Sequence, residues 1–163
     1  MRVLIASLTL LLAACGFQPM YAPTNGGPAI GPVQVSEIEG KAGHVLRTEL
    51  TRILAAENNG AAPSTLVIEL SEQVVQFGIR RDESSTRAEI RLTANYLFTP
   101  PNAGPEMRGA LTSIASYDIP PAAFGEIAAQ DDARERAAET LAQRFRSELA
   151  LRMAQARAGS AAR

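Results

Sequence analysis

The sequence predicts an α+β fold: a two-layer sandwich in the order β-α-β-β-β-α, with two helices packed on one face of a four-stranded sheet. Three observations lead there. Residues 87–98 alternate strictly, with Ala88, Ile90, Leu92, Ala94, Tyr96 and Phe98 on one side and Arg87, Glu89, Arg91, Thr93 and Asn95 on the other, which is a strand with one buried face. Two other segments carry apolar residues at spacings of three and four, the signature of amphipathic helices. Proline and glycine clusters separate these segments. Two apolar helix stripes and one apolar sheet face can bury only against each other, which gives two layers.

Each element follows in order. Pro32 opens a short strand over 31–38, where its missing N–H does little harm, with Val33, Val35 and Glu37 on one side. Residues 42–55 read as a helix through Ala42, Val45, Leu46, Leu50, Ile53 and Leu54, and Asn58-Asn59-Gly60 ends it. Residues 65–75 place Leu66, Ile68, Leu70 and Val74 on one face, with Glu69, Ser71 and Gln73 opposite. After the 87–98 strand, the run Pro100-Pro101-Asn102-Ala103-Gly104-Pro105 is a turn that no helix crosses. Residues 108–119 alternate again through Leu111, Ser113, Ala115, Tyr117 and Ile119, weakly in the middle. Pro120-Pro121 stops the sheet, and a long helix runs to about Gln155 on the stripe Ala138, Leu141, Ala142, Phe145, Leu149 and Met153. Asp131 and Asp132 are expected in its early turns, where acids complement the positive helix end.

The N-terminus has a different character. Met1-Arg2 precedes an apolar run from Val3 to Leu12, too short for the roughly 20 residues a bilayer crossing needs, and Ala13-Ala14-Cys15 follows. This pattern resembles the bacterial lipoprotein signal, in which the cysteine is acylated and becomes the first residue of the mature protein. That resemblance implies a signal peptide over 1–14 and a lipidated N-terminus, which prolines and glycines continue as an extended tether over 15–30; the elements above give a folded domain over 31–156, and small residues with two arginines a flexible tail over 157–163. Gly16 after the cysteine, in place of an aspartate, favours the outer membrane under the sorting rule the resemblance brings. Several acyl chains hold a protein on a membrane almost permanently, at about 0.8 kcal/mol per buried CH₂. With Cys15 the only cysteine, no disulfide framework is available.

Composition narrows the function. Without Arg2 the mature chain has fifteen basic and seventeen acidic residues, a net charge of −2, which gives no reason to expect nucleic acid. Lys41 is the only lysine against fifteen arginines, and tryptophan is absent. His44, the only histidine, lies on the first helix with no motif around a candidate serine. Zinc-ligand spacing, a Walker loop and a dinucleotide-binding glycine pattern are all missing. The chain reads as a non-enzyme with no cofactor beyond the lipid on Cys15 and no metal.

One polar segment stands out. Arg80-Arg81-Asp82-Glu83-Ser84-Ser85-Thr86-Arg87 joins the second and third strands, and Arg91 follows on the polar sheet face. Four arginines near a hairpin tip suit an anionic amphiphile or an acidic partner, although Asp82, Glu83 and Glu89 offset much of the charge. Cys15-Gly16-Phe17-Gln18-Pro19-Met20-Tyr21, the element order, Thr86-Arg87-Ala88-Glu89-Ile90 and the helix opening from Ala129 to Ala138 together resemble the LptE family of lipopolysaccharide-assembly lipoproteins. The resemblance implies a plug-like subunit inside an LptD-type outer-membrane β-barrel, assisting barrel assembly and delivery of lipopolysaccharide to the outer leaflet. It also implies lipopolysaccharide contact through Arg80, Arg81, Arg87 and Arg91. The alternative is an auxiliary lipoprotein of an ABC-type envelope lipid transport system, which shares the lipidated cysteine and proline-rich tether but is usually longer.

Overall fold

Alternation and helical periodicity resolve into the expected order. The computed structural model describes residues 30, 32–55, 62–79, 85–101 and 105–161. Its elements are β1 (Val33–Val35), α1 (Gly40–Ala55), β2 (Ser64–Ile79), β3 (Ser85–Thr99), β4 (Met107–Asp118) and α2 (Ala123–Ala161). They form one four-stranded sheet in the order β1-β2-β3-β4. β1 pairs parallel with β2 through the crossover helix α1, and β2, β3 and β4 form an antiparallel meander. The expected signal peptide, Cys15 and most of the expected tether lie outside the described residues. Ile30, at the end of the expected tether, is buried in the core.

β1 is shorter than its sequence pattern suggested. It stops at Val35, and Glu37 is exposed, because the chain turns directly into α1. Gly43 makes that turn feasible: a Cβ there would sit 2.6 Å from the Ile38 carbonyl oxygen. The long helix also differs, since Ala123 opens it and it continues to Ala161 rather than ending near Gln155. Asp131 and Asp132 therefore fall in its third turn. They are not at the helix end, where Glu126 is the acid of the first turn.

The core lies between the helices and the inner sheet face. Leu66 and Ile68 of β2, Ala88, Ile90, Leu92, Ala94, Tyr96 and Phe98 of β3, and Tyr117 of β4 are buried there. α1 adds Ala42, Leu46, Leu50, Ile53 and Leu54; α2 adds Ala133, Ala137, Ala138, Leu141, Ala142, Phe145, Leu149 and Ala150. Phe145 meets Tyr96 edge-on, with ring centroids 5.2 Å apart and planes at 70°. Gly109, opposite Tyr96 in the register, leaves room for that ring: a Cβ would come 2.7 Å from the tyrosine hydroxyl. Ser113 interrupts the apolar set, and its buried Oγ has no hydrogen-bond partner.

Element lengths decide what is left uncovered. At about 3.3 Å per residue, the 16 residues of β2 extend roughly 53 Å, whereas the 16 of α1 rise only about 24 Å. The 39 residues of α2 reach roughly 58 Å, enough to follow β3 and β4 for their whole length. Ala88 and Ile90 are therefore fully buried, while Val74, on the same inner face of β2, remains 38% exposed. The alternation placed Val74 in the core, but no helix reaches it.

Removing the ring at the centre should be costly, and removing the unpaired hydroxyl should not. Phe145→Ala is expected to lower stability by about 3–5 kcal/mol. Arg91→Ala, on the opposite sheet face, should change it little. Ser113→Ala should raise the melting temperature, because a buried hydroxyl without a partner carries an uncompensated desolvation cost. Thermal melts of the three variants test the assignment, and a loss at Ser113 as large as at Phe145 contradicts it.

Candidate functional site

The face turned away from the helices is the open surface of this fold. Cross-strand pairing builds it in rows from odd positions of β2 and β3 and even positions of β4. Ser71, Thr93 and Thr112 form a neutral row, with Ser71 Oγ donating to the Thr93 carbonyl at 3.3 Å and the two threonine hydroxyls 3.4 Å apart. Toward the β2–β3 turn the rows become Gln73-Arg91-Ile114, Val75-Glu89-Ser116 and Phe77-Arg87-Asp118. Arginines and exposed apolar side chains are interleaved there, with Val75 40%, Phe77 38% and Ile114 48% exposed, and the row Val67-Leu97-Arg108 repeats the combination at the other end, with Val67 46% exposed.

Arg87 and Arg91, two of the four sequence-selected arginines, lie on this face four residues apart, both exposed. Arg87 Nε pairs with Asp118 Oδ1 at 3.2 Å, and Ser116 Oγ donates to Glu89 Oε1 at 3.4 Å. Among the described residues no ion pair engages Arg91. Arg80 and Arg81 lie outside the described residues, as does Cys15. Alternation identified the polar members of the face correctly but missed Val75, Phe77 and Ile114. Their signal was present in the sequence, at outward positions of two strands, where an apolar residue has no core to enter.

A second polar cluster, which sequence reasoning missed, sits where both helices meet β2. Lys41 Nζ of α1 donates to Asp131 Oδ2 at 2.5 Å, and Asp131 Oδ1 accepts from Arg134 Nη1 at 2.5 Å. Arg134 also grips Glu72 of β2 through Nε at 2.9 and 3.0 Å and Nη2 at 2.7 Å, a bidentate pair. Glu72 occupies an inward position where the cover of α1 ends, so a carboxylate there needs a cation. Hydrogen bonding from Lys41, foremost, and the nearby Arg134 charge hold the Asp131 carboxyl below its ordinary range. The bond to Glu72, foremost, holds the Arg134 guanidinium above its ordinary value. His44 is exposed on α1. Among the described residues no group of three His, Cys, Asp or Glu side chains could hold a metal ion.

Fold and surface together define a two-layer scaffold that presents a broad amphiphilic sheet face. The family model described as LptE, lipopolysaccharide-assembly, matches residues 30–149, which spans every strand, α1 and most of α2. The chain belongs to this family. Its fold resembles a lipoprotein structure from Caulobacter crescentus CB15 (TM-score 0.62, 25% identity, 78% of this chain and 93% of that one). A minor lipoprotein from Acinetobacter baumannii shares the fold at TM-score 0.57 and 17% identity, over 74% of this chain and 91% of that one. The rare lipoprotein B of Shewanella oneidensis does so at 0.50 and 13%, over 72% and 94%. No curated protein sequence matches the chain.

The three-element ion-pair cluster has a testable acid response. The folded-state pKa of Asp131 is depressed, so its stabilisation is present above the unfolded carboxylate value, about 3.9, and is lost as pH falls through the lower folded value. Asp131→Asn should therefore melt below the wild type at pH 6, with the two curves converging as pH drops below about 4. Melting curves that stay parallel down to pH 2 would show that the Lys41 and Arg134 contacts add nothing.

Proposed function

We propose that this member of the LptE family is an outer-membrane lipoprotein of the lipopolysaccharide translocon. In this reading acylated Cys15 anchors it, and the domain seats as a plug in an LptD-type β-barrel, assisting assembly of that barrel and delivery of lipopolysaccharide to the outer leaflet. It works by binding and positioning, without catalysis. The observation that carries the proposal is the family match over nearly the whole fold. Several features support it further. Leu12-Ala13-Ala14-Cys15 has the lipoprotein pattern, and the solved relatives are themselves called lipoproteins. Among the described residues no helix is long and apolar enough to cross a membrane, so attachment through a lipid fits the chain.

The arginine end of the open face is the proposed contact for lipopolysaccharide. Guanidinium groups bind phosphate through paired, charge-assisted hydrogen bonds. Arg91 offers such a group beside the apolar Ile114, and Arg87 lies in the row with Phe77. Arg80 and Arg81 precede β3 closely in sequence and complete the proposed set. A phosphorylated amphiphile needs this pairing of cation and apolar surface.

Anchor, lipid contact and barrel contact can be tested separately. Cys15→Ser should abolish incorporation of a palmitate analogue, and label persisting in that variant excludes Cys15 as the lipidation site. Replacing Arg80, Arg81 and Arg87 with Glu should weaken lipopolysaccharide binding by about tenfold or more while leaving the thermal melt nearly unchanged. Co-purification of the same variant with a large outer-membrane barrel then reports the scaffold role. Unchanged lipopolysaccharide binding would leave the arginines as a solvated hairpin.

A further inference from the structure

The two sheet edges are protected in different ways. β1 is only three residues long and follows Pro32, so that edge offers little backbone for pairing. β4 is twelve residues long, and from Gly109 to Tyr117 it contains nine residues with no charge and no proline. It is a terminal strand of the sheet, so its free side exposes a row of backbone donors and acceptors. A long, uncharged, β-forming strand at an open edge is a template for another strand.

Three arginines of α2 occupy that row. Arg136 Nη2 donates to the Ser116 carbonyl at 3.1 Å, Arg144 Nη1 donates to the Thr112 carbonyl, and Arg152 Nη1 donates to the Arg108 carbonyl at 3.3 Å. The spacing explains how one helix serves one strand. Eight helical residues rise about 12 Å and four strand residues about 13 Å, so donors eight apart meet acceptors four apart along antiparallel elements. Two of the arginines are steadied from within the helix. Asp132 holds Arg136 at 3.2 Å and Glu148 holds Arg152 at 2.5 Å, each one turn away.

We propose that Arg136, Arg144 and Arg152 form a guard that keeps the β4 edge of a second copy of this chain from pairing with this one. The occupant excluded is another β4, because two identical uncharged strands can pair antiparallel about a twofold axis. Each guanidinium fills an acceptor that an incoming backbone N–H would need, and it places a cation where two copies would bring like charges together. The inference concerns the sheet edge and does not depend on lipopolysaccharide binding.

The test uses the full chain purified in detergent. Wild type is expected to sediment as a monomer. The triple variant Arg136→Met, Arg144→Met, Arg152→Met, which keeps side-chain length but removes the donors, should dimerise. Hydrogen exchange at the Ala110, Thr112 and Ile114 amides should then slow by about tenfold or more. Adding Ala110→Pro should restore the monomer: carbonyls 108, 112 and 116 point to the free side, so the N–H of residue 110 does too, and its loss spares the β3 ladder. A folded triple variant that remains monomeric overturns the proposal, as does association that Ala110→Pro leaves unchanged. If the triple variant fails to fold, Arg144→Gln alone carries the test. Dimerisation of that variant, suppressed by Ala110→Pro, supports the guard, and a monomer overturns it.

Discussion

Burial of one apolar sheet face beneath a single long helix is the constraint on which the rest of this molecule depends. β3 contributes six inward residues in unbroken alternation, all buried, and α2 covers them with a stripe that mixes alanines with Leu141, Phe145 and Leu149. Small residues let the helix approach closely, and the large ones fill the space between strands. The Tyr96–Phe145 edge contact lies in this layer, and it is possible only because Gly109 leaves space beside the tyrosine ring. Close packing also explains why a side chain as small as Ser113 matters: its hydroxyl is sealed from water without a partner.

The same constraint fixes where polar groups must compensate. α1 is less than half the length of the strand it covers, so the inner face of β2 becomes accessible beyond Leu70. Glu72 marks that point. Arg134 and Asp131 answer it from α2, and Lys41 ties α1 into the same group, so one ion-pair chain joins both helices to the sheet. These contacts fix the relative position of elements already packed by apolar burial; the Lys41–Asp131 pair, with its lysine largely in solvent, contributes modestly.

With the helices occupying one side, the other side of the sheet is available for a partner. Its chemistry varies along the strands, from a hydroxyl row near the middle to arginines beside exposed apolar residues toward the β2–β3 turn and in the Val67-Leu97-Arg108 row at the other end. Under the function proposed above, this surface meets an anionic amphiphile that presents both phosphate and hydrocarbon. The proposed guard on the β4 edge complements it: the sheet leaves a face open while closing an edge to a second copy of the chain.

Local pattern determined the element order, the inward set of β3 and the stripe of α2, because periods of two and of 3.6 residues are written directly into the chain. The sequence also identified Arg87 and Arg91 as polar-face residues and carried the family resemblance. It could not show that Val74 is exposed, because that depends on how far a separate helix extends. Nor could it pair Glu72 with Arg134, 62 positions apart, or set Asp131 beside Lys41, 90 apart. The arginines of α2 read as an ordinary solvated helix face until β4 is laid alongside them. Periodicity tells each residue which way to face within its own element; what it meets there is decided by the lengths and registers of the elements packed against it.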